Sequence, residues 1–274
     1  MGQELGNMTV VDRWRPETAA GGFTRDDEDI AFYTHINALV RPDMIVVDLG
    51  AGRGSRFDDG SAPFRKSFCN FQGRVRKVIG LDVDPVVMEH PHLDEAHVIE
   101  AGGSLPLADS SVDVIFCEWV VEHVEHPKEF AREVQRVLKP GGWFCALTPN
   151  RFGYVGISNK VVPEAFKDRL MRRVWPERPQ EDVFPTFYRM NTLGSVRRAL
   201  GEENWTHHGY TSNGTPRYHG GTAVGFALVS LLQWSMPPAM RTNLLVFSQK
   251  RPQPAGAHVF SSLDAVRRSS QLTH

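Results

Sequence analysis

The feature that most constrains this chain is the segment Met44–Leu49 with the turn that follows it, Gly50-Ala51-Gly52-Arg53-Gly54. An apolar run broken only by Asp48 reads as a parallel strand covered on both faces by helices. Glycines crowded at its end supply positive φ freely and leave no Cβ in the way, so a bulky ligand can lie against the backbone there. Such a strand needs partners. Lys77–Leu81, Ala96–Ile99, Val112–Cys117 and Trp143–Leu147 repeat the apolar pattern and alternate with helical stretches such as Pro127–Leu138. This rhythm predicts a doubly wound α/β fold whose sheet is mostly parallel.

Further elements extend the sheet. Asn204–Tyr210 and Thr242–Ser248 read as two more strands, and Thr192–Leu200 and Thr222–Trp234 as helices. The expectation is a Rossmann-like, seven-stranded sheet with helices on both faces and an inserted cap. The domain spans 24–250, with cap segments at about 151–190 and 212–240, a flexible arm at 1–23 and a polar tail at 251–274. Thr24, followed by Asp26, Asp27 and Glu28, reads as the start of the first helix, with Ile30, Tyr33, Ile36 and Val40 on one face and Pro42 as its stop.

The glycine turn admits two cofactor classes. A dinucleotide turn has the form GxGxxG, whereas Ser55 stands at the third position here and glycine comes one place early. A second strand, Val78-Ile79-Gly80-Leu81-Asp82, ends in a carboxylate able to accept hydrogen bonds from a ribose diol, which suits either class. Its distance from the turn exceeds the roughly 20 residues usual in dinucleotide-binding units. The difference is an insert from Arg56 to Gly73, polar and aromatic, expected near the cofactor mouth.

Three stretches farther on separate the classes: Leu105-Pro106-Leu107-Ala108-Asp109-Ser110-Ser111-Val112-Asp113-Val114-Ile115, Glu122-His123-Val124, and Arg136-Val137-Leu138-Lys139-Pro140-Gly141-Gly142. With these, the chain from Met44 to Asn150 resembles the class I S-adenosylmethionine-dependent methyltransferases, in the branch that acts mostly on small molecules and lipids. The resemblance implies S-adenosylmethionine as cofactor. It implies that Asp48, Gly50, Ala51 and Gly52 cradle the methionyl part, that Asp82 binds the ribose and that Val83 packs on adenine. Relatives often carry an Asp just before the Leu-Pro pair to hold the adenine amino group. Here Glu100-Ala101-Gly102-Gly103-Ser104 stands instead, and Gly102 and Ser104 are the substitutes. Cys117, Glu118 and Trp119 match the stretch that faces the sulfonium, where an acid and an aromatic ring suit a cation.

Several residues have two readings. His123 could act as a general base near neutrality or brace its turn. Asp113 reads as architectural, and Arg53 as either a cofactor contact or a surface residue. Tyr188 and Arg189, in Phe184-Pro185-Thr186-Phe187-Tyr188-Arg189, read as substrate contacts or as cap core. The run from Gly225 to Leu232 could cover an apolar substrate or touch a membrane surface, although a helix apolar all round is usually buried in its own protein.

Composition narrows the partners. A net charge of -1 over 274 residues provides no basic footprint for nucleic acid, and no nucleic-acid partner is expected. Three cysteines without a CxxC pair suit a reducing compartment, giving an expected cytoplasmic location. The histidines show no zinc spacing, so no metal is expected. The resemblance implies as acceptor a small molecule or a lipid- or saccharide-linked group, methylated at oxygen. The alternatives are a non-catalytic binding protein that retains the fold, and a nicotinamide-dependent oxidoreductase. The sequence leaves the oligomeric state open.

Overall fold

The computed structural model describes residues 9–57, 62–154, 156–157, 184–217 and 219–252. The chain runs through α1 (Val10–Trp14), α2 (Glu28–Leu39), β1 (Ile45–Leu49), α3 (Pro63–Cys69), β2 (Lys77–Asp82), β3 (Glu95–Val98) and β4 (Val112–Glu118). It continues through α4 (Pro127–Val137), β5 (Leu138–Pro149), α5 (Leu193–Leu200), β6 (Trp205–Ser212), α6 (Ala223–Ser235) and β7 (Asn243–Lys250). The expected cap between 151 and 190 lies largely outside the described residues, as does the tail beyond 252.

The strands form one seven-stranded sheet in the order β3-β2-β1-β4-β5-β7-β6. Strands β1 to β5 are mutually parallel, and β7 runs antiparallel to both β5 and β6. Alternate residues feed two cores. Val47 and Ile115 pack with Ala131, Val134 and Val137 of α4 and with Val196 and Leu200 of α5. Val46, Val114 and Phe116 pack on the opposite face with Phe32, Tyr33 and Ile36 of α2. This two-sided burial is the physical reason that the strands read as continuous apolar runs. After β1 the chain winds outward to β3 and then returns to place β4 on the other side of β1. That reversal opens a crevice between the carboxyl ends of β1 and β4, where α/β sheets bind ligands.

Asp113 is architectural, as its position at the start of a strand implied. Its Oδ2 accepts from the Ile45 N–H at 2.8 Å and from Lys139 Nζ at 2.7 Å, tying β4 to β1 and β5.

Three expectations need correction. Residues 9–23 are not a loose arm. Thr9 and Asp12 form a reciprocal capping box on α1, Pro16–Ala19 makes a 3-10 turn, and Arg15 pairs with Asp26 at 2.7 Å. The first long helix is capped by Asp27, whose side chain accepts from the Ile30 N–H, and not by Thr24. The Thr24 hydroxyl instead bonds that of Thr215 at 2.5 Å, far away in the chain. Finally, α6 is not buried: only Phe226 and Gln233 are, and its leucines face outward.

Candidate active site

The glycine turn leaves β1 with Gly50, Gly52 and Gly54 at φ of +79°, +56° and +74°, which L side chains rarely adopt. The Gly50 N–H donates to the Leu81 carbonyl at 2.6 Å, locking the turn onto β2. A Cβ at Gly50 would stand 2.2 Å from Val120 Cγ2, so this glycine lets the chain after β4 pack close. Gly52 differs: a Cβ there would meet nothing within 4 Å. Its side faces open space, as a ligand cradle requires.

Asp82, at the carboxyl end of β2, is buried and organises the turn. Its Oδ2 accepts from the Gly52 N–H at 2.7 Å, and its Oδ1 from the Asp84 N–H at 2.9 Å. Asp48 is also buried. Burial first, then the charges of Glu118 and Asp82, push its carboxyl well above the usual range. Glu118, ending β4, receives Arg56 Nη1 at 2.9 Å, yet burial outweighs that cation and raises its carboxyl to about 7. Arg56 is held from its other side by the Tyr33 ring, 5.1 Å away.

Carboxyl groups gathered at adjoining strand ends, with the Arg56 guanidinium beside Glu118, repel one another when ionised, and a cationic ligand would relieve that repulsion. S-adenosylmethionine carries a sulfonium and an ammonium. Open space over Gly52 and an acidic wall therefore fit both its bulk and its charge.

The other expected residues sort by geometry. Val83 follows Asp82 and is 39% exposed, unusual for valine and suited to covering a planar group. Gly102, at φ +76°, and Ser104 lie in an exposed turn after β3. Trp119 takes φ +57° and donates its N–H to the Leu147 carbonyl at 2.8 Å, a strained backbone position directly after β4. Cys117 does not meet the expectation of a crevice contact. Its side chain is fully buried in the core, with Sγ 3.7 Å from the Cys145 carbonyl.

His123 braces the entrance. Its Nδ1 lies 2.7 Å from the Pro185 carbonyl, and since a carbonyl only accepts, Nδ1 carries the hydrogen of that bond. Neighbouring Glu122 is buried, with its carboxyl raised mainly by burial. Thr148 Oγ1 donates to its Oε2 at 2.8 Å, and its carbonyl accepts from the N–H groups of Phe187 and Tyr188 at 2.7 and 3.1 Å. Arg189 Nη1 donates to the Glu125 carbonyl at 2.6 Å and stacks on the Phe187 ring. Tyr188 and Arg189 are thereby drawn to the turn after β4, beside the crevice.

Sequence reading missed Arg56, Val120 and Glu122. Arg56 stood two places past the glycine turn, in the insert expected at the mouth. Val120 carried no local signal, and Glu122 stood in the stretch Glu122-His123-Val124 without a role of its own, because their roles depend on contacts with Gly50 and with the segment at 187–188.

Comparison with known proteins agrees with this geometry. Residues 47–146 match a family model described as a methyltransferase domain. The chain is 43% identical over 84 residues to a probable S-adenosylmethionine-dependent methyltransferase of Mycolicibacterium smegmatis, covering 29% of this chain and 32% of that one. It is 36% identical over 107 residues to the thiol S-methyltransferase TMT1B of Rattus norvegicus, covering 36% and 40% respectively. The matched part thus spans about a third of the length of the first of these relatives. Among solved structures, the YcgJ protein of Bacillus subtilis superposes with a TM-score of 0.50 at 17% identity, covering 82% of this chain and all of that one, which shows the shared fold. Residues 47–146 thus carry a methyltransferase domain, on a sheet and a glycine turn that match the class I S-adenosylmethionine-dependent methyltransferase family.

Proposed function

We propose that this protein transfers a methyl group from S-adenosylmethionine to the oxygen of a small-molecule or lipid- or saccharide-linked acceptor. The observation that carries the reading is the open face of Gly52, whose N–H is held by Asp82, together with the carboxyl groups of Asp48, Asp82 and Glu118 at neighbouring strand ends. The cofactor supplies an electrophilic methyl carbon on a cationic sulfur. The protein's contribution to such a displacement is to align the reacting atoms and keep water out.

Each residue then has a physical task. Gly50, Ala51 and Gly52 offer backbone to the methionyl part, and the Asp82 carboxylate has lone pairs beyond those engaged by Gly52 and Asp84 for the ribose diol. Val83 covers adenine, and Gly102 or Ser104 meets its amino group. Glu118 and Trp119 line the wall beside the sulfonium. Tyr188 and Arg189 contact the acceptor. His123, hydrogen-bonded through Nδ1, offers Nε2 to take the proton of an alcohol acceptor as the new carbon–oxygen bond forms.

Sulfur is the rival acceptor atom, because one relative is a thiol S-methyltransferase. Supplying labelled S-adenosylmethionine with matched alcohol, phenol and thiol acceptors tests the choice. Label transferred to hydroxyl compounds supports oxygen, and transfer confined to thiols replaces it with sulfur.

A further inference from the structure

Helix α6 is turned inside out for a surface helix. Residues at helical spacing on its inward side are Phe226, Ser230 and Gln233. Phe226 and Gln233 are buried, and the Ser230 hydroxyl is sealed from solvent with no hydrogen-bond partner among the described residues. Its outward stripe is Val224, Leu228 and Leu231, exposed by 71%, 62% and 60%, flanked by Leu232 at 45% and Trp234 at 83%. A helix that packs on its own protein puts the apolar stripe inward. Here polar groups are spent on the inside while leucines meet water.

The charge pattern selects the occupant. From Asn204 to Leu263 the chain carries no Asp or Glu, and from Thr222 to Met240 it carries no charged residue at all. Arg241 follows that uncharged stretch, and Arg217, paired with Glu28, precedes it. The N-terminal segment packed beside α6 does contain acids, but they are engaged: Asp12 by Thr9 and Thr18, Asp26 by Arg15, Glu17 by Arg25 and Glu28 by Arg217. Among the described residues no helix is long and apolar enough to cross a membrane. A helix of 13 residues, about 20 Å long, can instead lie flat in the interface, with leucines in the acyl boundary and a terminal tryptophan at headgroup level. One flank of this 13-residue helix, about 20 Å by 10 Å, presents on the order of 200 Å², short of the roughly 800 Å² per partner that a stable protein interface buries.

We propose that α6 docks this protein on the surface of an anionic lipid bilayer. The position of the helix gives that docking a use. It joins the end of β6 to the start of β7, and Asn243 at that start pairs with Ser212 on one side and with Pro149, at the carboxyl end of β5, on the other. The docked helix therefore lies at the same end of the sheet as the glycine turn, the carboxyl end of the parallel strands, and an acceptor with an apolar tail can present its head to the crevice without leaving the membrane. The docking itself does not depend on the methyltransferase reading; only this choice of an amphiphilic acceptor rests on it.

The test is flotation of the full-length protein with vesicles of phosphatidylcholine and phosphatidylglycerol, roughly 2:1, against phosphatidylcholine alone. The expected result is association with the anionic vesicles, weakened at least tenfold in the double variant L228E/L231E. Those side chains are exposed, so the variant should fold, and calorimetry with S-adenosylmethionine verifies this. Retained cofactor binding with no vesicle association in the wild-type protein overturns the docking and leaves the methyltransferase reading intact. Equal association of wild type and variant also overturns it. Equal association with both lipid compositions overturns the choice of an anionic surface. A dimer seen by light scattering and lost in L228E/L231E, with no vesicle association, reassigns the face to a second copy of the chain.

Discussion

Gly50 and Gly52 lie two residues apart in one turn, yet substitution should affect them differently, and the contrast tests where the cofactor lies. Both have positive φ, so alanine at either costs about 1–2 kcal/mol of backbone strain. At Gly50 the new Cβ would sit 2.2 Å from Val120 Cγ2, and such overpacking adds about 1–3 kcal/mol. At Gly52 it meets nothing within 4 Å, and no second cost arises in the free protein. For a chain of this size each kcal/mol lowers Tm by roughly 2–4 °C. Gly52→Ala should then lose about 2–8 °C and Gly50→Ala about 4–20 °C. Affinity should rank differently: a methyl group placed where the cofactor lies meets it at about 1–3 kcal/mol, a loss of roughly 5–150-fold. Differential scanning fluorimetry and isothermal titration with S-adenosylmethionine measure the two quantities. A Gly52→Ala protein that binds the cofactor as tightly as wild type would refute the placement over Gly52.

Other consequences follow from the same site. Asp82→Ala should weaken binding of S-adenosylmethionine by more than about tenfold, since a charge-assisted hydrogen bond contributes roughly 1.5–3 kcal/mol; an unchanged Kd in titration calorimetry removes the ribose assignment. Glu118 is raised to about 7 in the folded protein from an ordinary carboxylate value, so between those values the folded state holds a proton the unfolded state has released. Its contribution to stability is full at low pH and is lost as pH rises through about 7. Urea midpoints of Glu118→Gln should fall less than those of wild type between pH 5 and pH 8, and parallel curves would contradict the assignment. Cys69, Cys117 and Cys145 are buried, and burial pushes each thiol up, that of Cys69 to about 12. A thiol reagent should label none of them until the protein unfolds; rapid labelling at neutral pH in native buffer contradicts this.

Much of the fold was legible because strands buried on both faces must be apolar along most of their length, and Ile45–Val47 and Val78–Leu81 are. The same property hid the orientation of Cys117: where both faces are covered there is no polar alternation to tell one face from the other. The five-residue helix α1 is too short for any periodicity, although its Thr9–Asp12 capping box was a readable signal. Thr24 and Asp27 are both good caps, and the tie of Thr24 to Thr215 reaches across 191 residues, beyond any local pattern. Composition made α6 look like a buried helix, since amino-acid type fixes apolarity and only tertiary packing fixes which way it faces. In the site, the strand-end glycines and carboxylates were visible as motif positions. The Arg56–Glu118 pair and the bracing of His123 by Pro185 were not, because each joins segments about 62 residues apart.

The central claim is that the crevice over the glycine turn binds S-adenosylmethionine. Its most direct test is calorimetric titration of the full-length protein with S-adenosylmethionine, S-adenosylhomocysteine and, separately, NADH. Binding of both sulfur compounds with no heat from NADH is the predicted result. Binding of NADH with neither sulfur compound, or a folded protein that binds none of the three, would contradict it.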